Sequence, residues 1–238
     1  MIDKSAENVS GMFAAIAPRY DFMNRLLSGC VDIYWRKYAA KRVPIPPGGK
    51  YLDICTGTAD LLLEYVRRYK NQAAEFTGSD FCEQMLEIGR KKIQKKYPQP
   101  PAPINLVWGD ACKLPFDDNS FDTITVSFGL RNTSDPVKAL EEMRRVCKPG
   151  GTMAILEFTL PQGFFFKRLY RFYFRWILPI IGKILAKNNY DAYHYLPESV
   201  EQFPQGAALT AIMTQALWRD AAFQSLTFGI AALYTGKK

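Results

Sequence analysis

Histidine is nearly absent from this chain: His194 is the one example in 238 residues, so a histidine-rich metal centre is excluded. The five cysteines, Cys30, Cys55, Cys82, Cys112 and Cys147, are odd in number and form no C-x-x-C pair. They speak against a disulfide framework and for reduced, mostly buried thiols in a cytosolic setting. No uncharged apolar run reaches the ~18 residues of a spanning helix, so none is expected. The start, Met1 to Asn8, lacks the basic-then-apolar order of a signal peptide, and a cytoplasmic location is expected. Acidic residues are missing from Gln162 to Tyr190, where Lys167, Arg168, Arg171, Arg175, Lys183 and Lys187 lie. Composition is otherwise that of a globular protein, 48% hydrophobic and 23% charged with a net charge of +8. The length suits one α/β domain over 1–238, with no repeats and no second unit.

What is present begins with Lys50-Tyr-Leu-Asp-Ile-Cys-Thr-Gly-Thr-Ala-Asp60. Apolar residues lead to Asp53, then a small-residue turn, then Asp60 and a leucine run: a buried strand, a tight loop and a helix start. Such a loop lets a ligand lie against bare backbone at a helix N-terminus. Asp80 follows a second strand-like run, Glu75 to Ser79, where an acidic residue can hold ribose hydroxyls. A nucleoside-containing cofactor is therefore expected. A dinucleotide fingerprint requires G-x-G-x-x-G, yet Gly57 stands alone between Asp53 and Asp60, and no P-loop ending is present. The stretch is closer to the motif of S-adenosylmethionine (SAM) methyltransferases, with Cys55 and Ala59 where the general motif has glycine.

Later segments narrow the resemblance. Val107-Trp-Gly-Asp110, Phe121 to Ser127, and Val146-Cys-Lys-Pro-Gly-Gly151 follow in the order that fold requires. Ala17-Pro-Arg-Tyr-Asp-Phe-Met-Asn24, Trp35-Arg-Lys37, Thr56-Gly-Thr58, Ser127-Phe-Gly-Leu-Arg-Asn132 and Leu156-Glu-Phe158 carry it further, with an echo in Tyr193 to Ser199 and Phe203-Pro204. Together these strings resemble the C-methyltransferase family of menaquinone and ubiquinone biosynthesis. The C-terminal end departs from that family, which has Ala-Gly-Phe near Ala216 to Trp218 and Gly-Gly near Phe228-Gly229.

The resemblance implies a single Rossmann-like class I SAM-dependent methyltransferase fold: α/β, mostly parallel sheet, with a C-terminal antiparallel hairpin at the sheet edge. Two helices over 13–43 form an N-terminal lid, and a helical insertion over 161–202 follows the fifth strand. Helices are expected at Ala59–Arg68, Glu83–Lys96, Pro136–Val146 and Gly206–Trp218, and the closing strands at Phe223–Thr227 and Ile230–Thr235. The cofactor is SAM, contacted by Gly57, Thr58, Asp80, Asp110, Ala111 and Ser127. Asp110 follows a strand and can accept from an adenine amino group. The substrate is a prenylated quinol, of demethylmenaquinol or 2-phytyl-1,4-naphthoquinol type. Ring-carbon methylation needs a phenolate, so Arg131 is expected to hold the oxyanion and Asn132 to bond a quinol oxygen. Tyr20 and Asp21 would close over the ring.

Other residues read more plainly. His194 could be a base, but among Tyr190, Tyr193 and Tyr195 it reads first as packing. Glu141-Glu142 and Asp117-Asp118 read as solvated charges. In 164–187 a helical wheel puts Lys167, Arg168, Arg171 and Arg175 on one face. Phe165, Phe172, Trp176 and Ile177 lie on the other, a pattern that suits an anionic membrane surface better than nucleic acid. Alternatives are SAM-dependent O- or N-methylation of another small lipophilic molecule, and a non-catalytic SAM-fold protein that binds a membrane or partner.

Overall fold

A computed structural model describes residues 6–161, 163, 168 and 192–238. The helical insertion expected over 161–202 therefore lies outside the described residues, except for its last helix and a few isolated positions, as does nearly all of the 164–187 amphipathic face.

The chain enters as three helices: α1 (Ala6–Ile16), α2 (Tyr20–Ser28) and α3 (Val31–Arg42). Two were expected, beginning at Phe13. α2 ends at Gly29 and α3 is preceded by Cys30, both left-handed (φ 56° and 64°), and this tight turn splits the second half of the lid. Strand–helix alternation follows: β1 (Lys50–Ile54), α4 (Asp60–Tyr69), β2 (Glu75–Asp80), α5 (Glu83–Lys96), β3 (Ile104–Trp108), β4 (Phe121–Ser127), α6 (Pro136–Val146) and β5 (Cys147–Phe158). The last elements are α7 (Ala192–Gln202), α8 (Ala207–Gln215), β6 (Arg219–Leu226) and β7 (Ala231–Lys237).

One seven-stranded sheet results, in the order β3-β2-β1-β4-β5-β7-β6. The first five strands pair parallel, and β7 runs antiparallel between β5 and β6. The strand order reverses between β1 and β4, and a switch point of this kind opens a crevice at the strands' carboxyl ends. Central strands are apolar on both faces because helices cover both. Leu52, Ile54, Ile124 and Ile155 pack with Leu140 and Met143 of α6 on one side; Tyr51, Phe76 and Ala154 pack with Leu62, Tyr65 and Val66 of α4 on the other.

Local signals explain the helix ends. Asp135 caps α6 by accepting from Val137 N and Lys138 N at 3.0 Å, with Pro136 at the first helical position. Glu142 is not a solvated helix charge: it is buried at 9% exposure, accepts from Leu114 N at 2.9 Å and pairs with Arg145 at 2.8 Å. It ties α6 to the loop after β3. Glu141 and Asp118, by contrast, are exposed.

Candidate active site

The crevice at the switch point is a cavity whose wall is contributed strand by strand. Cys55 and Gly57 come from the loop after β1; Asp80, Phe81 and Met85 from the end of β2 and the start of α5. Asp110 and Ala111 follow β3, and Ser127, Phe128, Gly129 and Asn132 follow β4. The lid closes it with Phe13 and Tyr20. Seven sequence-predicted residues thus meet at one place: Tyr20, Gly57, Asp80, Asp110, Ala111, Ser127 and Asn132. Thr58 and Arg131 are not on the wall.

The loop after β1 holds an unusual shape. Cys55, Gly57 and Ala59 are all left-handed (φ 51°, 55° and 67°), a region that costs non-glycine residues roughly 1–2 kcal/mol. This is the physical content of the glycines in the general motif at positions 55 and 59: the backbone conformation is kept here without them. Asp53, fully buried, anchors the loop by accepting from Thr56 Oγ1 and Thr125 Oγ1 at 2.7 Å each. Burial pushes its carboxyl up to about 6 against these bonds. Gly129 is required by contact, since a Cβ there would stand 2.3 Å from Cys55 Cβ. The two loops meet only because position 129 has no side chain.

Asp80 accepts from Gly57 N at 2.7 Å and from Cys82 N at 2.9 Å. Burial raises its carboxyl to about 6 although backbone N–H groups oppose the shift. Asp110 is fixed by Cys112 N at 2.9 Å. Two strand-end carboxylates about an open backbone at Gly57 fit a nucleoside with ribose hydroxyls and an amino-bearing base. A Cβ built at Gly57 meets nothing within 4 Å, so that backbone faces open space. Burial also pushes the Cys55 thiol well up, with Asp80 and Asp53 adding to the effect, so it is a neutral wall group and not a nucleophile.

Thr58 turns instead toward the lid, donating to Asp21 Oδ1 at 2.5 Å. Lys92 of α5 joins the same cluster, donating to Asp21 at 2.7 Å, to Thr58 Oγ1 at 3.1 Å and to Asp60. Arg25 reaches Asp60 at 2.6 Å and also pairs with Asp32. Burial pushes the Asp60 carboxyl up, but Arg36, Lys92 and Arg25 together outweigh it and hold it at about 2. The cluster latches the lid helix to the cofactor loop. Lys92→Met should loosen the latch and cost about 1.5–3 kcal/mol. The check is thermal unfolding together with SAM titration, both of which should weaken; an unchanged affinity would detach the latch from the cofactor site.

Arg131 lies behind the wall, 5% exposed. Its guanidinium pairs with Glu157 at 2.6 Å, donates to Phe128 O at 2.5 Å and reaches Ser199 Oγ at 3.4 Å. Asn132 on the wall accepts from Tyr195 OH at 3.0 Å and donates to Phe128 O at 3.3 Å. Burial raises the Tyr20 and Tyr195 phenols; at Tyr20 a hydrogen bond with Asn24 and then the Arg131 charge oppose the shift, and at Tyr195 Arg131 opposes it while Glu157 adds to it. Both remain protonated donors at neutral pH. Glu157, Ser199 and Tyr195 were not singled out from sequence, although each sits inside a quoted family string.

Comparison with known proteins agrees with this geometry. The fold is that of SAM-dependent methyltransferases: a solved structure from Thermotoga maritima, described as a possible histamine N-methyltransferase, superposes with TM-score 0.63 at 18% identity, covering 97% of this chain and 99% of that one. A SAM-dependent methyltransferase from Aquifex aeolicus gives 0.59 at 17%, covering 84% and 88%. The model of the ubiE/COQ5 methyltransferase family matches residues 1–238, and the chain belongs to that family. It is a SAM-dependent methyltransferase. A Geotalea daltonii relative named ubiquinone/menaquinone biosynthesis C-methyltransferase UbiE is 42% identical over 237 residues, covering 100% of this chain and 99% of that one. A Lysinibacillus sphaericus demethylmenaquinone methyltransferase is 40% identical over 238 residues, at 100% and 99% coverage.

Proposed function

We propose that this enzyme methylates a ring carbon of a prenylated quinol in quinone biosynthesis, with demethylmenaquinol or 2-phytyl-1,4-naphthoquinol as the type of substrate. The supporting observation is full-length similarity at about 40% to relatives named for that chemistry, joined to a cavity with both a nucleoside-type wall and an aromatic wall. SAM supplies a sulfonium-bound methyl that is already electrophilic. The protein's part is to exclude water, align the ring and make it electron-rich.

Gly57, Asp80, Asp110, Ala111 and Ser127 form the cofactor side. Phe13, Tyr20 and Phe128 form the apolar side that excludes water from the ring. Tyr20, kept protonated by burial, donates toward a quinol oxygen, and the Asn132 amide, fixed by Tyr195 and Phe128 O, stands beside it. Arg131 acts from behind the wall: paired with Glu157, it holds the loop that carries Asn132 through its bond to Phe128 O. It is a positioning residue in this reading. Thr58 supports the cofactor loop through Asp21. Peripheral contact with an anionic membrane through 164–187 is part of the same proposal, supported by the sequence pattern there; Arg171→Glu with Arg175→Glu should then weaken vesicle binding. Among the described residues no helix is long and apolar enough to cross a membrane.

The deciding experiment is mass spectrometry of products from SAM with a panel of demethylated quinols. A ring-carbon methyl is the expected product. Methyl on oxygen or nitrogen, or turnover of none of the panel, would sink the quinol reading.

A further inference from the structure

We propose that the outer face of the lid, α2 with the start of α3, docks on an anionic lipid bilayer. This rests on the reading that the substrate carries a prenyl tail and so resides in lipid. Among the described residues nine large apolar side chains are exposed, and four of them fall between positions 22 and 34: Phe22 (59%), Leu26 (44%), Ile33 (37%) and Tyr34 (54%). Exposure recurs at 22, 26, 29–30, 33–34 and 37, a helical spacing that continues through the Gly29–Cys30 turn. The inward positions of α2 are taken: Met23 is buried, and Tyr20 lines the cofactor cavity. One helix therefore has an active-site face and an apolar face turned to the outside.

Charge selects the occupant. Ile33 also borders a groove lined by Arg25, Arg36, Lys92, Lys95 and Lys96. The two carboxylates of that groove, Asp60 and Glu64, are 15% and 11% exposed and already paired, with Arg25 and Lys92 and with Arg67. Lys95 and Lys96 are exposed, so the groove presents positive charge outward. An apolar ridge beside cations matches the acyl boundary and phosphates of an anionic bilayer. A second copy of this +8 chain would bring like charge to like charge. So would the 162–190 segment, which has no Asp or Glu. Lipid contact on this face places the bilayer against the element that covers the cavity, giving a tailed substrate a route in at the lid.

Co-sedimentation with phosphatidylcholine vesicles, with and without phosphatidylglycerol, tests this on the full chain. Wild type should bind the anionic vesicles and leave the neutral ones. Leu26→Ser with Tyr34→Ser should lower binding by about tenfold or more, as two apolar side chains lose their burial. Lys95→Glu with Lys96→Glu should lower it most at low salt. Sedimentation of both variants equal to wild type overturns the lid surface, whatever Arg171→Glu with Arg175→Glu does. A wild-type dimer that the Leu26→Ser, Tyr34→Ser variant converts to monomer also overturns it, in favour of a second copy. Turnover of a short-chain, water-soluble quinol should be unchanged in every lid variant. Failure of wild type to methylate that quinol would count against the quinol reading while leaving the sedimentation result standing.

Discussion

Arg131→Ala should unfold about 6–20 °C below the parent protein. The side chains of Arg131 and Glu157 are 7% and 1% exposed and lie 2.6 Å apart. Removing one partner of such a pair strands the other charge in a desolvated place, which costs about 3–5 kcal/mol. For a chain of this size each kcal/mol moves the midpoint by roughly 2–4 °C. Glu157→Gln should be destabilising too, since it strands the guanidinium. The double variant Arg131→Met with Glu157→Leu should recover part of the loss, because neither charge then remains; simple additivity of the single losses would show that the pair is not coupled. Below its melting temperature Arg131→Ala should bind SAM normally, since Arg131 is not on the cavity wall. Its turnover should fall, by up to about 10²-fold if the Phe128–Asn132 loop shifts by an ångström. A SAM affinity that collapses with turnover would place the residue in the cofactor site instead.

The contrast between Arg131 and Asn132 shows what a sequence can and cannot reveal. Both stand in one six-residue string, and the string locates the loop correctly at the end of β4. Which of two neighbours faces the cavity depends on Glu157 and Ser199, 26 and 68 residues away, and no local pattern carries that. Thr58 repeats the lesson, because its hydroxyl is claimed by Asp21, 37 residues earlier. Glu142 read as a surface charge for the same reason: its partner Leu114 N is in a different loop.

Elements with strong end signals were legible. Glu83–Lys96 and Pro136–Val146 match α5 and α6 at both ends, where acidic or Pro-led starts and basic last turns mark the boundaries. β6 begins at Arg219 and not at the expected Phe223; its first residues, Arg219-Asp-Ala-Ala222, are two charges followed by two small residues, and nearly all of the strand is exposed. The apolar alternation that identifies a strand is missing there. The sequence signals two lid helices where the structure has three, because the second break is a two-residue left-handed turn with no proline.

Asp80 should set opposite pH dependences for stability and for cofactor binding. Its folded carboxyl is raised from 3.8 to about 6, so the folded state favours the protonated form. The corresponding stability is present below the unfolded value near 4 and is lost as pH rises through about 6, on the order of 3 kcal/mol in all. Asp53, raised to about 6 for the same reason, adds a second slope in the same window. The ligand-free protein should therefore lose stability between pH 4 and 7 from these two groups. Asp80→Asn should remove its share of that slope and melt above the parent at pH 7.5. SAM binding should run the other way. Ribose hydroxyls donate to the ionised carboxylate, so the apparent dissociation constant should rise about tenfold per pH unit below 6 and level off above it. Asp80→Ala should weaken SAM binding by at least roughly tenfold at pH 8, as charge-assisted bonds of about 1.5–3 kcal/mol each are lost, and the gap to the parent should close toward pH 5 as the parent's own carboxylate protonates. Calorimetric titration from pH 5 to 8 on parent, Asp80→Asn and Asp80→Ala is the measurement. A parent affinity that stays flat through pH 6, or an Asp80→Ala affinity equal to the parent's at pH 8, would remove Asp80 from the cofactor site.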